Sequence, residues 1–253
     1  MKKQALVKKD AGALEQKLPA YLTKSSGPAR GMEEADQKDL TLPRMAICQS
    51  MTPQRKKTNP LFIQGLEEGQ LFNTLTGKVY GTEVALIPIF MYKSRIKFTD
   101  FEDGGGIECQ AINGKSGGAL CPSGCDGCLH SQWGEKGDPP ACTLFYNYPA
   151  LIMPTKELVI VSMKSAGAKI ARAWNTLIKL RNQDTFAGVY QVATVAETAD
   201  SHEFYNFSVK NAGWADEETY KFAEQVYNGL KGKSIQMDTT GLETEAHGEK
   251  TAF

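Results

Sequence analysis

Five of the six cysteines in this 253-residue chain fall between Cys109 and Cys142, a stretch of 34 residues otherwise rich in Gly, Ser and Pro. Its centre reads Gly117-Gly118-Ala119-Leu120-Cys121-Pro122-Ser123-Gly124-Cys125-Asp126-Gly127-Cys128-Leu129-His130, and Cys142 follows Asp138-Pro139-Pro140-Ala141. A segment this poor in apolar side chains cannot bury a core of its own, so something else must fix its shape. Disulfides would need an oxidising compartment. The start, Met1-Lys2-Lys3-Gln4, has no apolar run behind it, since Asp10, Glu15 and Lys17 interrupt, so a secretory signal is not expected and a cytoplasmic setting is. In a reducing setting, clustered cysteines read as metal ligands.

The Cys125-x-x-Cys128 turn aims two thiolates at one ion, and tetrahedral Zn²⁺ needs two more donors. Cys109 and Cys142, each in a predicted strand at the base of the insertion, complete the preferred set of Cys109, Cys125, Cys128 and Cys142. Cys121 is the reserve ligand and His130 a weaker one; free buried thiols or a redox pair are the alternatives. No His-x-Glu or His-Glu-x-x-His pattern accompanies the cluster, so one structural rather than catalytic Zn²⁺ is expected. Cys48, within Met45-Ala46-Ile47-Cys48, reads as core.

Hydrophobic residues at 41 % and charged residues at 23 % are ordinary globular values, and no apolar run is long enough for a membrane-spanning helix. Residues 1–45 lack periodicity and read as a flexible basic arm. Residues 46–231 should form the folded domain, with the insertion at about 104–142, and residues 232–253 an acidic disordered tail. Gln70–Asn73 and Lys78–Tyr80 predict a hairpin. Thr82 to Phe98 predicts a strand that Pro88 breaks or bulges. Further strands are expected over 107–112, 143–153, 157–163, 188–197 and 202–210. One helix is expected at about 165–182, burying Ile170, Ala173, Trp174, Leu177 and Ile178, and another at about 216–230, burying Tyr220, Ala223, Val226, Tyr227 and Leu230. The class is therefore mainly β with two helices (α+β), and the order suits a small closed OB-type barrel with a Cys-rich insertion.

The net charge is zero, from 29 basic and 29 acidic residues, but it is segregated. Residues 1–60 carry net +6, residues 155–182 net +5, and residues 238–253 net −3. In a strand, Lys93, Arg95 and Lys97 would share one side, with Tyr92, Ser94, Ile96 and Phe98 on the other. Cations that track phosphates beside rings that stack on bases suit single-stranded nucleic acid. The predicted contacts are Tyr92, Lys93, Arg95, Lys97 and Phe98, with Lys169 and Arg172 from the first helix. A solvated edge strand and a solvated helix face are the plain alternatives. There is no Gly-x-Ser-x-Gly, Walker or Rossmann pattern, and no enzyme is expected. The run Asp100, Glu102, Asp103 reads as a turn, with a metal-dependent nuclease as the remote alternative.

Several short motifs together carry a resemblance. They are Leu40-Thr41-Leu42-Pro43-Arg44-Met45, Gln49-Ser50-Met51-Thr52-Pro53, Gly69-Gln70-Leu71-Phe72-Asn73 with Thr76-Gly77, Pro88-Ile89, and the Cys-x-x-Cys insertion with Trp133 and Cys142. In this order, over roughly 39–210, the chain resembles phage-encoded single-stranded-DNA-binding proteins of the OB type with a zinc insertion. The resemblance implies sequence-independent binding of single-stranded DNA in replication or recombination. It maps the metal set onto Cys109, Cys125, Cys128 and Cys142, with Cys121 as a departure. The acidic end closing on Ala252-Phe253 is similar to tails that recruit replication or recombination proteins. The competing reading is a zinc-stabilised interaction module that grips a host polymerase or another phage protein.

Overall fold

The computed structural model describes residues 31, 33, 34, 39–99, 106–135, 137–199 and 202–242. The basic arm before residue 31, the acidic run at 100–103 and the last residues, 243–253, lie outside them.

Twelve strands and two helices make up the described chain. The strands are β1 (Thr41–Leu42), β2 (Arg44–Ile47), β3 (Leu71–Asn73), β4 (Val79–Gly81), β5 (Glu83–Pro88), β6 (Tyr92–Phe98), β7 (Ile107–Ala111), β8 (Cys142–Ile152), β9 (Glu157–Met163), β10 (Gly188–Ala199), β11 (His202–Trp214) and β12 (Gln236–Met237). The helices are α1 (Gly167–Leu180) and α2 (Glu217–Leu230). Mainly β with two helices is thus the observed class.

The main sheet runs β11-β10-β5-β8-β9-β2-β3-β4, with β6 branching from β8 and β7 pairing with β6. The expected closed barrel does not form: among the described residues no ladder carries β4 beyond β3, and the path stays open. The reason lies in one corner. β4 is three residues long and ends at Gly81, whose φ of 85° turns the chain into β5. There the hydrogen bonds pass to β10 and β8 instead. The β3–β4 turn is the predicted one, with Asn73 Oδ1 accepting from the backbone N–H of Leu75 and Thr76, each at 2.9 Å.

Register assigns the two faces. Leu144, Tyr146, Tyr148, Ala150 and Ile152 of β8 face the larger core, while Leu151 faces a smaller one with Ile87, Ile89 and Phe186. α1 covers the first core: Tyr148 Oη donates to Ala171 O at 3.1 Å, and its ring stacks on Trp174 at 4.2 Å. α2 covers the second through Ala223, Tyr220, Val226 and Tyr227. Asp216 caps α2 by accepting from Thr219 N at 2.9 Å, and its carboxyl is held below the usual range by that bond.

The buried stripe of α1 is Gly167, Ala171 and Trp174, flanked by Ile170 and Ile178. Ala173 and Leu177, expected inside, are exposed. Small residues one turn apart bring the helix close to the sheet and rotate the stripe toward them. The body also extends past the expected boundaries. β1 pairs in parallel with β12, Arg44 is buried, and Leu242 packs on Ile96, Phe98 and Phe145. Residues 235–242 therefore belong to the folded body, although a tail was expected from 232.

Trp174 is fully buried between Tyr148 and Tyr190. Trp174→Ala should cost about 3–5 kcal/mol of stability, measured as a lower denaturant midpoint in chemical unfolding.

Candidate functional site

β6, β7 and the start of β8 form the floor of the cysteine-rich insertion. Lys97 stands opposite both Cys109 on β7 and Cys142 on β8, and Arg95 opposite Ala111 and Leu144. Directly opposed residues share a face. Both cysteines therefore lie with Lys93, Arg95 and Lys97 on the face that α1 covers farther along. The insertion folds back over this floor. Cys125 N donates to Lys115 O at 2.9 Å, Cys128 N to Cys125 O at 3.2 Å, and Ser131 Oγ donates to the carbonyls of Cys125 and Cys128. Gly118 is pressed against the floor so tightly that a Cβ there would lie 2.5 Å from Cys109 Sγ and 2.7 Å from Gln110 O.

All five cysteines of the cluster, 109, 121, 125, 128 and 142, line one small enclosed pocket, with Arg95, Lys97, His130 and Ser131 in its wall. Cys125, Cys128 and Cys142 are buried; Cys109 and Cys121 are half-buried. The Cys121 thiol is raised chiefly by a hydrogen bond with Cys128. Burial pushes Cys142 up to about 11 against the opposing pull of Arg95, and Cys125 is likewise raised by burial and lowered by Arg95. No group of three or more His, Cys, Asp or Glu among the described residues is arranged to hold a metal ion as it stands.

The expected basic row alternates as predicted, but its members have separate surroundings. Lys93 is exposed, its ammonium 5.4 Å from the centre of the Tyr146 ring. Lys97 is ion-paired with Glu108 inside the insertion floor. Arg95 lies in the pocket wall with a buried Nε that has no hydrogen-bond partner. Tyr92 packs against Phe90 with ring centres 6.2 Å apart, and desolvation raises its phenol. Phe98, expected as a stacking ring, is a core residue at 6 % exposure, because its side of β6 faces Phe145 and Leu242.

Lys169 and Arg172, by contrast, are exposed on the outer side of α1, together with Lys179. Among the described residues none of the three has an ion-pair partner. No acidic residue occurs between Glu157 and Asp184. Just past the helix, the Arg181 guanidinium lies 3.6 Å over the centre of the Trp214 ring and donates to Asn211 Oδ1 at 2.8 Å. Trp214 remains 57 % exposed, enough to leave ring surface open. An open recess lined by Asn175, Lys179, Asn182, Gln183, Asp184 and Thr185 adjoins this end of the helix. The Arg181–Trp214 pair was missed in the sequence, since its members lie 33 positions apart and only the β10–β11 hairpin joins them.

The molecule is a bacteriophage protein. Residues 8–236 match the family of Pam3 phage gp34-like proteins, and the chain belongs to that family. No curated protein and no solved structure matches the chain. Among the described residues no helix is long and apolar enough to cross a membrane.

Cys48, outside the cluster, is fully buried, and burial pushes its thiol up to about 11. It should therefore stay protonated and resist alkylation at pH 8 in the folded protein, and react once the chain is unfolded. Peptide mass mapping after a brief alkylation reads this directly.

Proposed function

We propose that this phage protein binds single-stranded DNA without sequence preference, in DNA replication or recombination, and that one structural Zn²⁺ holds its insertion. The observation that carries the DNA reading is the outer face of α1: Lys169, Arg172 and Lys179 without counter-charges among the described residues, ending at the exposed Trp214 with Arg181 on its ring. Unpaired cations on a helix follow phosphates, and an open indole stacks on any base for roughly 1–3 kcal/mol. Lys93, exposed on the same side of the sheet, adds to this field. The contact set thus keeps Lys93, Lys169 and Arg172, adds Lys179, Arg181 and Trp214, and leaves Tyr92, Arg95, Lys97 and Phe98 with structural roles.

The donor chemistry of the pocket fits zinc, since it brings together more than the four thiols a structural site uses, in a segment without a core. Cys109, Cys125, Cys128 and Cys142 would hold the ion, with Cys121 at its side as the reserve. The ion would supply the cross-link that apolar burial cannot supply there.

A second reading has its own observation. Leu129 and Trp133 on the insertion are 83 % and 70 % exposed, an apolar pair suited to a protein partner. It predicts partner capture without DNA affinity.

Titration with oligo-dT, followed by tryptophan fluorescence, should show quenching and an affinity that falls steeply with salt. Lys169→Gln with Arg172→Gln should weaken binding and reduce the slope of log K against log salt by about 1.4, at ~0.7 per lost phosphate contact on a single strand. Absence of binding in low-salt buffer sinks the DNA reading. For the metal, elemental analysis should find about one zinc per chain, and Cys125→Ser should lose it and destabilise the fold, because structural zinc contributes folding free energy.

A further inference from the structure

Among the described residues no acidic side chain pairs with Arg95. A buried guanidinium N–H without an acceptor is costly. Its Nε is buried and unpartnered. The other two cations of the strand are provided for, Lys97 by Glu108 and Lys93 by solvent and the Tyr146 ring. The side-chain acceptors that share the pocket wall with Arg95 are the five cysteine sulfurs, His130 and Ser131.

We infer that Arg95 is the positioning residue of the metal site, donating N–H···S hydrogen bonds from its guanidinium to the cysteine thiolates that line its pocket. The inference rests on the zinc reading above and assigns this chain's own counter-charge to that site. Four thiolates on a divalent ion leave a net negative charge, and a cation beside them offsets it. A planar fork on a rigid strand also fixes where the sulfurs point. The same placement gives Arg95 a role other than contacting DNA, although it belongs to the basic row of the sequence.

Three measurements on the full chain test this: zinc affinity by chelator competition, the thiolate-to-cobalt charge-transfer band after Co²⁺ substitution, and oligo-dT titration of the zinc-loaded protein. Arg95→Gln should weaken zinc binding about 10–100-fold, the range for lost outer-shell partners, and shift the cobalt band while leaving oligo-dT affinity unchanged. Arg95→Lys keeps the charge but loses the fork, so it should recover part of the zinc affinity with the band still displaced. That variant gives the readout should Arg95→Gln fail to accumulate. Unchanged zinc affinity and an unmoved band in Arg95→Lys and Arg95→Gln overturn the inference, and a loss confined to oligo-dT affinity would make Arg95 a DNA contact instead. A wild-type chain that binds neither Zn²⁺ nor Co²⁺ defeats the metal reading itself.

Discussion

β8 is the constraint on which the rest of the structure depends. Its eleven residues use both edges: β9 lies along one, while β6 and then β5 share the other. Pro149 sits at the change of partner, where β6 pairing has ended at Asn147 and β5 pairing begins at Ala150. A strand residue directs its N and O to the same edge, and Pro149 O accepts from Ile89 N in the bend between β5 and β6. The missing proline N–H therefore falls beside that bend and not inside a ladder. Nearby, the buried amide of Asn147 bonds Ser94 and Ser162 on its two neighbouring strands, at 2.8 and 2.6 Å. One strand thus brings Cys142 to the insertion at one end and Ile152 to the main core at the other.

That arrangement sorts the cations by what surrounds them. On β6, Arg95 and Lys97 are half-buried beside the insertion, Arg95 in the wall of the thiol pocket and Lys97 paired with Glu108. On α1, the sheet takes the small residues and Trp174, leaving Lys169, Arg172 and Lys179 in water without ion-pair partners among the described residues. A solvated, unpaired cation is available to a phosphate, whereas a buried one must be answered from within the protein. Two basic segments that look alike in sequence therefore have different physical roles.

The insertion shows how a segment with little apolar sequence keeps a definite shape. Close glycine packing at Gly118, Ser131 bonded to two carbonyls, and the Cys125–Cys128 turn bring five sulfurs to one pocket. Its outer surface still exposes Leu129 and Trp133, which the few local side chains are too small to cover.

Much of this was legible in the sequence because it is local or periodic. Alternation set the faces of β6, turn chemistry set the β3–β4 hairpin, Pro88 ended β5, and the Asp216 cap started α2 within a residue of its expected position. The cysteine spacing marked the residues that share a pocket. What tertiary structure alone decided involves distant partners. The corner at Gly81 leaves the sheet open, β12 returns to β1, and Leu242 closes over Phe98. The encounter of Arg181 with Trp214 and the enclosure of Arg95 among the thiols belong to the same category. Sequence by itself determined which side of each element is apolar and where thiols and charges concentrate, since period and composition carry that information. Only packing decided which charges stay in water, because solvation depends on the neighbours that the fold brings in from elsewhere in the chain.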